Sequence, residues 1–248
     1  MIKGLFVLIL TLIILSSGGC KKKDDNLNNT PGFRTLAWEE GIKYHYDIIY
    51  KDKKIGEMSM QILSNFPGAS NDMVFESIMV IHGIKKVTEV RRVFFDPMVA
   101  SPPKNSSSNI QVGTDRMQSD VSYSDDKARV VFRSDATRSK TDENVSYKKG
   151  SLVVDNSSLP FIVRYWSGKK SDIFIILPEM TKGLKGLITR GASTRVKLKK
   201  GEFDATDIEV RAEDRSRHFF VEDKKPYRLL RFTIASPDES EIRFELVD

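Results

Sequence analysis

From Phe33 onward the chain alternates apolar and polar positions with a period of two, and no long stretch repeats at helical spacing. Tyr44-His45-Tyr46-Asp47-Ile48 alternates, turns through Lys51-Asp52-Lys53-Lys54 and resumes with Met58, Met60 and Ile62. Residues 74–81 and 86–95 flank His82-Gly83 as a second hairpin. Residues 121–123 and 128–133 flank Asp125-Asp126-Lys127 as a third. All these runs are rich in Val, Ile, Phe and Tyr, the side chains that suit a pleated, half-buried surface. Two polar stretches, residues 101–109 and 135–144, read as long exposed loops.

Two C-terminal hairpins predict their own register. A two-residue loop at Lys200-Gly201 sets Lys199 against Glu202 and Lys197 against Asp204, with Leu198 facing Phe203 and Val196 facing Ala205 on the other side. The apolar phase then slips before Ile208, which predicts a bulge near Thr206-Asp207. The last hairpin, turning around Pro237-Asp238-Glu239-Ser240, pairs Ile234 with Ile242, Phe232 with Phe244, Leu230 with Leu246 and Arg231 with Glu245. One helix is expected. Asp155-Asn156-Ser157-Ser158 offers capping side chains, Pro160 suits a first turn, and Leu159, Ile162, Val163 and Trp166 recur at helical spacing before Gly168. The expected fold is mainly β: a twisted antiparallel sheet forming an open or half barrel, with the short helix on its concave face.

The N-terminus carries a different pattern. Lys3 precedes an apolar run from Gly4 to Leu15, followed by Ser16-Ser17-Gly18-Gly19 and Cys20. As a helix that run measures ~18 Å, short of the ~30 Å hydrocarbon core of a bilayer. It has the proportions of a signal peptide. The cysteine, the only one in the chain, stands directly after the small residues. This resembles a bacterial lipoprotein signal, which implies that Cys20 is lipidated and becomes the first residue of the mature protein. Residues 20–32, with Lys21-Lys22-Lys23 at their start, read as a flexible tether, and residues 33–248 as a single β-rich domain. Lys21 rather than Asp after the cysteine implies an outer-membrane location facing the periplasm, in a bacterium that sorts lipoproteins by that rule.

A lone cysteine excludes an intramolecular disulfide framework and a multi-cysteine zinc site. A net charge of +6 over 248 residues is modest, and together with export it argues against nucleic-acid binding. Charge is unevenly distributed. Residues 164–200 hold 10 Lys and Arg against 2 Asp and Glu, whereas residues 201–248 hold 8 against 13. A basic strand pairing with the acidic strand after it accounts for both blocks; a face for acidic head groups is the competing reading. His45, His82 and His218 lack metal-ligand spacing, and no nucleophile elbow or phosphate-binding loop occurs. No catalytic residue, metal or cofactor is expected. Phe174 and Ile176, within the apolar segment Ile173-Phe174-Ile175-Ile176-Leu177, join Ile162 and Trp166 as candidate lining of an apolar cavity for an acyl chain, with a plain core role as the alternative.

The order of features is a Glu40-Gly41 start, an aromatic strand with Tyr44 and Tyr46, Gly56-Glu57, a charged strand ending in Phe94-Phe95-Asp96, Val154-Asp155 before the helix, and an aromatic C-terminal meander. It resembles the bacterial family called domain of unknown function 3108, found in exported proteins and lipoproteins. That resemblance implies a half-barrel closed by helix, similar to the lipoprotein carriers of the outer-membrane localisation pathway, and supplies no catalytic residues. The expectation is a membrane-anchored, non-enzymatic lipoprotein that binds a hydrophobic ligand or an envelope partner protein. A structural lipoprotein with a filled core and a hydrolase of envelope glycans or lipids are the alternatives.

Overall fold

The computed structural model describes residue 33 and residues 41–63, 72–83, 85–96, 101–213, 215–235 and 241–247. The expected signal peptide, Cys20 and the tether lie outside the described residues. Alternation becomes strand almost throughout. The N-terminal strands are β1 (Lys43–Tyr50), β2 (Lys53–Leu63), β3 (Met73–Ile81), β4 (Val87–Phe95), β5 (Asn105–Val112), β6 (Asp115–Tyr123), β7 (Lys127–Ser134) and β8 (Ser139–Ser146). After β9 (Leu152–Asp155) comes helix α1 (Leu159–Tyr165), then β10 (Lys170–Leu177) and a 3-10 turn, Pro178–Met180. The chain ends with β11 (Lys182–Leu198), β12 (Gly201–Ala212), β13 (Arg215–Glu222), β14 (Leu229–Ala235) and β15 (Glu241–Leu246).

All fifteen strands form one sheet in the order β8-β7-β6-β5-β4-β3-β2-β1-β15-β14-β13-β12-β11-β10-β9. Every pair is antiparallel except β9 with β10, which α1 connects as a crossover. β8 and β9 are the two edges, so the sheet is rolled but not closed by hydrogen bonds. How it rolls follows from β9 and β10. All four residues of β9 are buried, which requires cover on both faces. Along β10, Ile173, Ile175 and Leu177 face the main core, whereas Phe174 and Ile176 face a second cluster with Val121, Ala128, Val130, Val145 and Tyr147 from the β6–β8 end. One end of the sheet is therefore tucked inside the other, like a scroll. Gly183 permits the closest approach at that overlap, because a Cβ there would lie 2.3 Å from the Phe174 ring and 2.9 Å from Val145 Cγ1. Ser101 caps the β9 edge by accepting from Val153 N at 2.9 Å and donating to Val153 O at 2.8 Å.

The helix lies within the roll, as expected. Phe161 meets Phe75 of β3 and Phe95 of β4, with ring centroids at 5.1 and 4.8 Å. At its other end Arg164, almost fully buried, donates to the carbonyls of Tyr227 (3.0 Å) and Pro226 (3.3 Å) and stacks over Tyr44 at 4.9 Å. The β1–β2 turn is made by Lys51 and Asp52, both at positive φ (48° and 59°), the geometry that matches the twist of a two-residue hairpin.

Four sequence expectations are corrected. Residues 101–109 are not one long loop, since β5 starts at Asn105; residues 135–144 are not either, since β8 starts at Ser139. Serine and asparagine are poor strand formers alone, but β5 is paired on both sides and two of its serines are satisfied inside the roll. The β11–β12 turn is Lys199-Lys200, with Gly201 (φ 138°) already paired to Leu198. Lys197 thus faces Glu202, Val196 faces Phe203 and Arg195 faces Asp204, while Lys199 reaches Asp47 at 2.6 Å. The slip is of two residues, so each side chain keeps its expected face. The bulge occurs at the expected level but in the partner strand, between Arg190 and Ser193 opposite Asp207. In β14–β15 three of the four expected pairs, Ile234–Ile242, Phe232–Phe244 and Arg231–Glu245, are present; the ladder begins at Arg231, so Leu230–Leu246 is not part of it.

Candidate functional site

Inward positions of a rolled sheet are expected to be apolar, and the departures from that rule define the site. In β4, Val87, Glu89, Arg91, Val93 and Phe95 share one face, so two charged residues sit in phase with core side chains. In β13, Arg215 and Arg217 are likewise in phase with the buried Phe219 and Val221. Hydrogen-bonded register extends the β4 departure sideways into a row. Ser77 pairs with Arg91, Arg91 with Ser108 and Ser108 with Ser119 across β3 to β6. Ser77, Ser108 and Ser119 are buried, and the last two hydrogen-bond each other at 2.9 Å. A polar belt therefore runs around the inside of this half of the roll.

Its charges come from three directions. Glu89, 3% exposed, holds Arg91 through one carboxylate oxygen, 2.6 Å from both Nε and Nη2. Glu179, on the turn after β10, lies within electrostatic reach of Arg91 and of Arg217. Arg217 reaches the start of the helical connection, where Nη1 donates to Asn156 Oδ1 at 3.0 Å. Arg91, Glu179 and Arg217 lie deep in the protein yet are not sealed; the Arg91 side chain keeps 18% of its surface. Because these inward-facing groups keep part of their surface in contact with solvent, we infer a water-accessible hollow between β4 and β13. The inward, half-buried Met79 and Ala212 flank it, as does Met180 beside Glu179.

Electrostatics set the character of this hollow. Burial pushes Arg217 down to about 10, with repulsion from Arg91 adding to the effect and Glu179 only partly opposing it. Burial also acts against the charge on Arg91, but attraction by Glu89 and Glu179 outweighs it and holds that guanidinium above its usual range. The Glu179 carboxyl is pushed up by burial, with Arg91 offsetting part of the shift. Of these groups Arg217 is thus the cation least compensated by its surroundings.

Asp155, fully buried, is the hub that fixes the helix against this belt. One carboxylate oxygen accepts from Ser157 N (2.8 Å) and Ser158 N (2.7 Å); the other accepts from Tyr123 Oη (2.5 Å) and Ser106 Oγ. Four donors fill the lone-pair capacity of a carboxylate. Burial and the Asp155 charge push the Tyr123 phenol well above its usual range, so it remains a donor. Asp155 is committed to structure.

The four residues expected to line an apolar cavity are divided. Ile162 and Trp166, both fully buried, belong to the main core, whereas Ile176 and the half-buried Phe174 face the scroll overlap on the other side of β10. Trp166 Nε1 is buried without a hydrogen-bond partner, against Gly168, whose Cβ would fall 3.1 Å from it. Cys20 lies outside the described residues. His45 is exposed on β1, and His218 Nδ1 sits 3.0 Å from Asp207 on the outer face. Among the described residues no group of three or more His, Cys, Asp and Glu is placed to hold a metal ion. Sequence reasoning missed Glu89, Arg91, Glu179 and Arg217. The signal was present in Val-Thr-Glu-Val-Arg-Arg-Val and Arg-Ser-Arg-His-Phe-Phe-Val, where charges share the phase of inward apolar residues.

Among solved structures, the chain is similar to a β-barrel-like protein from Brucella abortus, described as a domain of unknown function, DUF1849. The superposition gives a TM-score of 0.54 at 11% sequence identity and covers 83% of this chain and 95% of that one. No family model matches the chain, and no curated protein matches it. At that identity the likeness speaks for the fold alone: a β-barrel-like domain, here rolled and unclosed.

Proposed function

We propose that the protein is a non-enzymatic lipoprotein of the bacterial envelope, anchored through Cys20 and held at the periplasmic face of the outer membrane. In this reading its rolled sheet binds a ligand with a hydrophobic body, or an envelope partner protein. The N-terminal pattern ending in the sole cysteine supports the anchor. The resemblance to the domain of unknown function 3108 family supports the finer kinship with exported half-barrel proteins. The observation that carries the binding function is the partial solvent contact of the inward-facing Arg91, Glu179 and Arg217, with the half-buried Met79, Met180 and Ala212 nearby.

Native mass spectrometry of the protein released gently from envelope membranes tests this. A bound species of a few hundred daltons, absent after organic extraction, is the expected result. A second reading, a structural lipoprotein with a filled core, is favoured by the complete burial of Ile162, Trp166 and Ile176; it predicts the bare protein mass in the same experiment. Radiolabelled palmitate incorporated by the wild type and lost in Cys20→Ala tests the anchor separately.

A further inference from the structure

β4 and β13 are not neighbours in the sheet; β3, β2, β1, β15 and β14 separate them. Arg91 and Arg217 therefore meet across the interior of the roll and not along a ladder. Two guanidiniums that repel each other in a poorly solvated space are costly unless an opposite charge lies between them. Among the described residues no acid forms an ion pair with Arg217: Glu89 is taken by Arg91, Asp155 is saturated by four donors, and Glu179 attracts both guanidiniums from beyond ion-pair distance.

The bonding of Arg217 shows which surface is on offer. Arg129 and Arg228 each grip a carboxylate with the Nε/Nη2 edge, Asp142 at 2.8 and 2.6 Å and Glu222 at 2.8 Å twice. Arg217 uses only Nη1, toward Asn156, and its Nε/Nη2 edge engages no group among the described residues. Neither nitrogen is among the sealed, unpartnered buried atoms, so this edge keeps contact with solvent on the inward side of β13. Such a planar two-donor edge matches the two oxygens of a carboxylate or phosphate.

We propose that the hollow between β4 and β13 receives the anionic end of an amphiphile, its carboxylate or phosphate held by the Nε/Nη2 edge of Arg217 with Arg91 alongside, and its apolar part lying along Met79, Met180 and Ala212. This rests on the ligand-binding reading above and names its chemical class. Asn156 positions the guanidinium, and Glu89 keeps Arg91 charged and in place.

The test is calorimetric titration of the full chain with decanoate, decanol and inorganic phosphate. Decanoate is expected to bind at least tenfold more tightly than decanol, and Arg217→Gln to bring the two within twofold of each other. Arg217→Lys keeps the charge without the fork and falls between. Arg217→Gln removes a charge with no ion-pair partner among the described residues, so its melting temperature without ligand is expected to equal or exceed the wild type's, which shows that the variant is folded. Equal affinity for decanoate and decanol, unchanged in Arg217→Gln, overturns the anion site and leaves the hydrophobic-ligand reading standing. Phosphate binding that depends on Arg217, with no gain from a decyl chain, does the reverse. Binding of none of the three overturns both.

Discussion

Two rows of inward side chains, each read straight across hydrogen-bonded register, show what this sheet does in its two halves. Across β13, β14 and β15 the row is Phe219, Phe232 and Phe244, with rings stacked at 5.9 and 4.2 Å and nearly parallel. Tyr46 closes over it edge-on at 6.0 Å and donates to Leu229 O at 2.8 Å. Across β3 to β6 the equivalent row is Ser77, Arg91, Ser108 and Ser119. The aromatic row removes a large apolar area from water and has no polar group to satisfy. The polar row buries less and must partner every hydroxyl and charge it contains. The first is how such a roll is held together; the second is tolerable only where the interior has another use.

The largest effect expected from breaking this contrast is at the aromatic row. Phe232→Ala removes the central ring of the stack and should cost about 3–5 kcal/mol in urea unfolding. A loss below about 1 kcal/mol would mean that the stack is not a stability element. Next comes the hub of the polar half. Asp155→Asn keeps the shape but replaces an acceptor by an amide N–H facing donors, and should cost about 2–3 kcal/mol. It should also loosen the start of α1, visible as faster amide exchange at Ser157, Ser158, Phe161 and Ile162. Smallest is Glu179→Gln, with the opposite sign. A carboxyl whose folded pKa is raised above its ordinary 4.5 contributes its full stability below that value and loses it as pH rises through the folded pKa. Glu179→Gln should therefore melt a few degrees higher than wild type at neutral pH, with the gain fading below pH 4.5. A lower melting point at neutral pH would show that Glu179 is a structural ion partner.

The contrast also marks what was legible in the sequence. The β14–β15 register could be read because four matches, three of them apolar pairs and one Arg–Glu, agree on a single alignment, and three of the four lie in the observed ladder. In β11–β12 the same argument chose an alignment two residues away, since a slip of two leaves every side chain on its face. What decides there is backbone geometry at Lys199-Lys200 and Gly201, to which alternation is blind. The strands β5 and β8 were hidden for a related reason. Their polar composition is allowed by an interior that is itself polar at Ser106 and Ser108, and by an edge at β8 whose side chains are mostly exposed. The candidate site was missed because the charges of β4 and β13 were not set against the phase of their apolar neighbours. In β4 and β13 the phase of Glu89, Arg91 and Arg217 pointed inward. The scroll overlap, which sends Phe174 and Ile176 away from Ile162 and Trp166, depends on tertiary packing that no local pattern encodes.

The most direct measurement is the side-chain Nε–H resonance of Arg217 in a 15N-edited NMR spectrum of the full chain, assigned by its loss in Arg217→Gln. Addition of decanoate at neutral pH is predicted to shift it and slow its exchange with water, while decanol leaves it in place. A resonance that stays unmoved by decanoate at saturating concentration, or moves equally with decanol, would contradict an interior built to hold an anion.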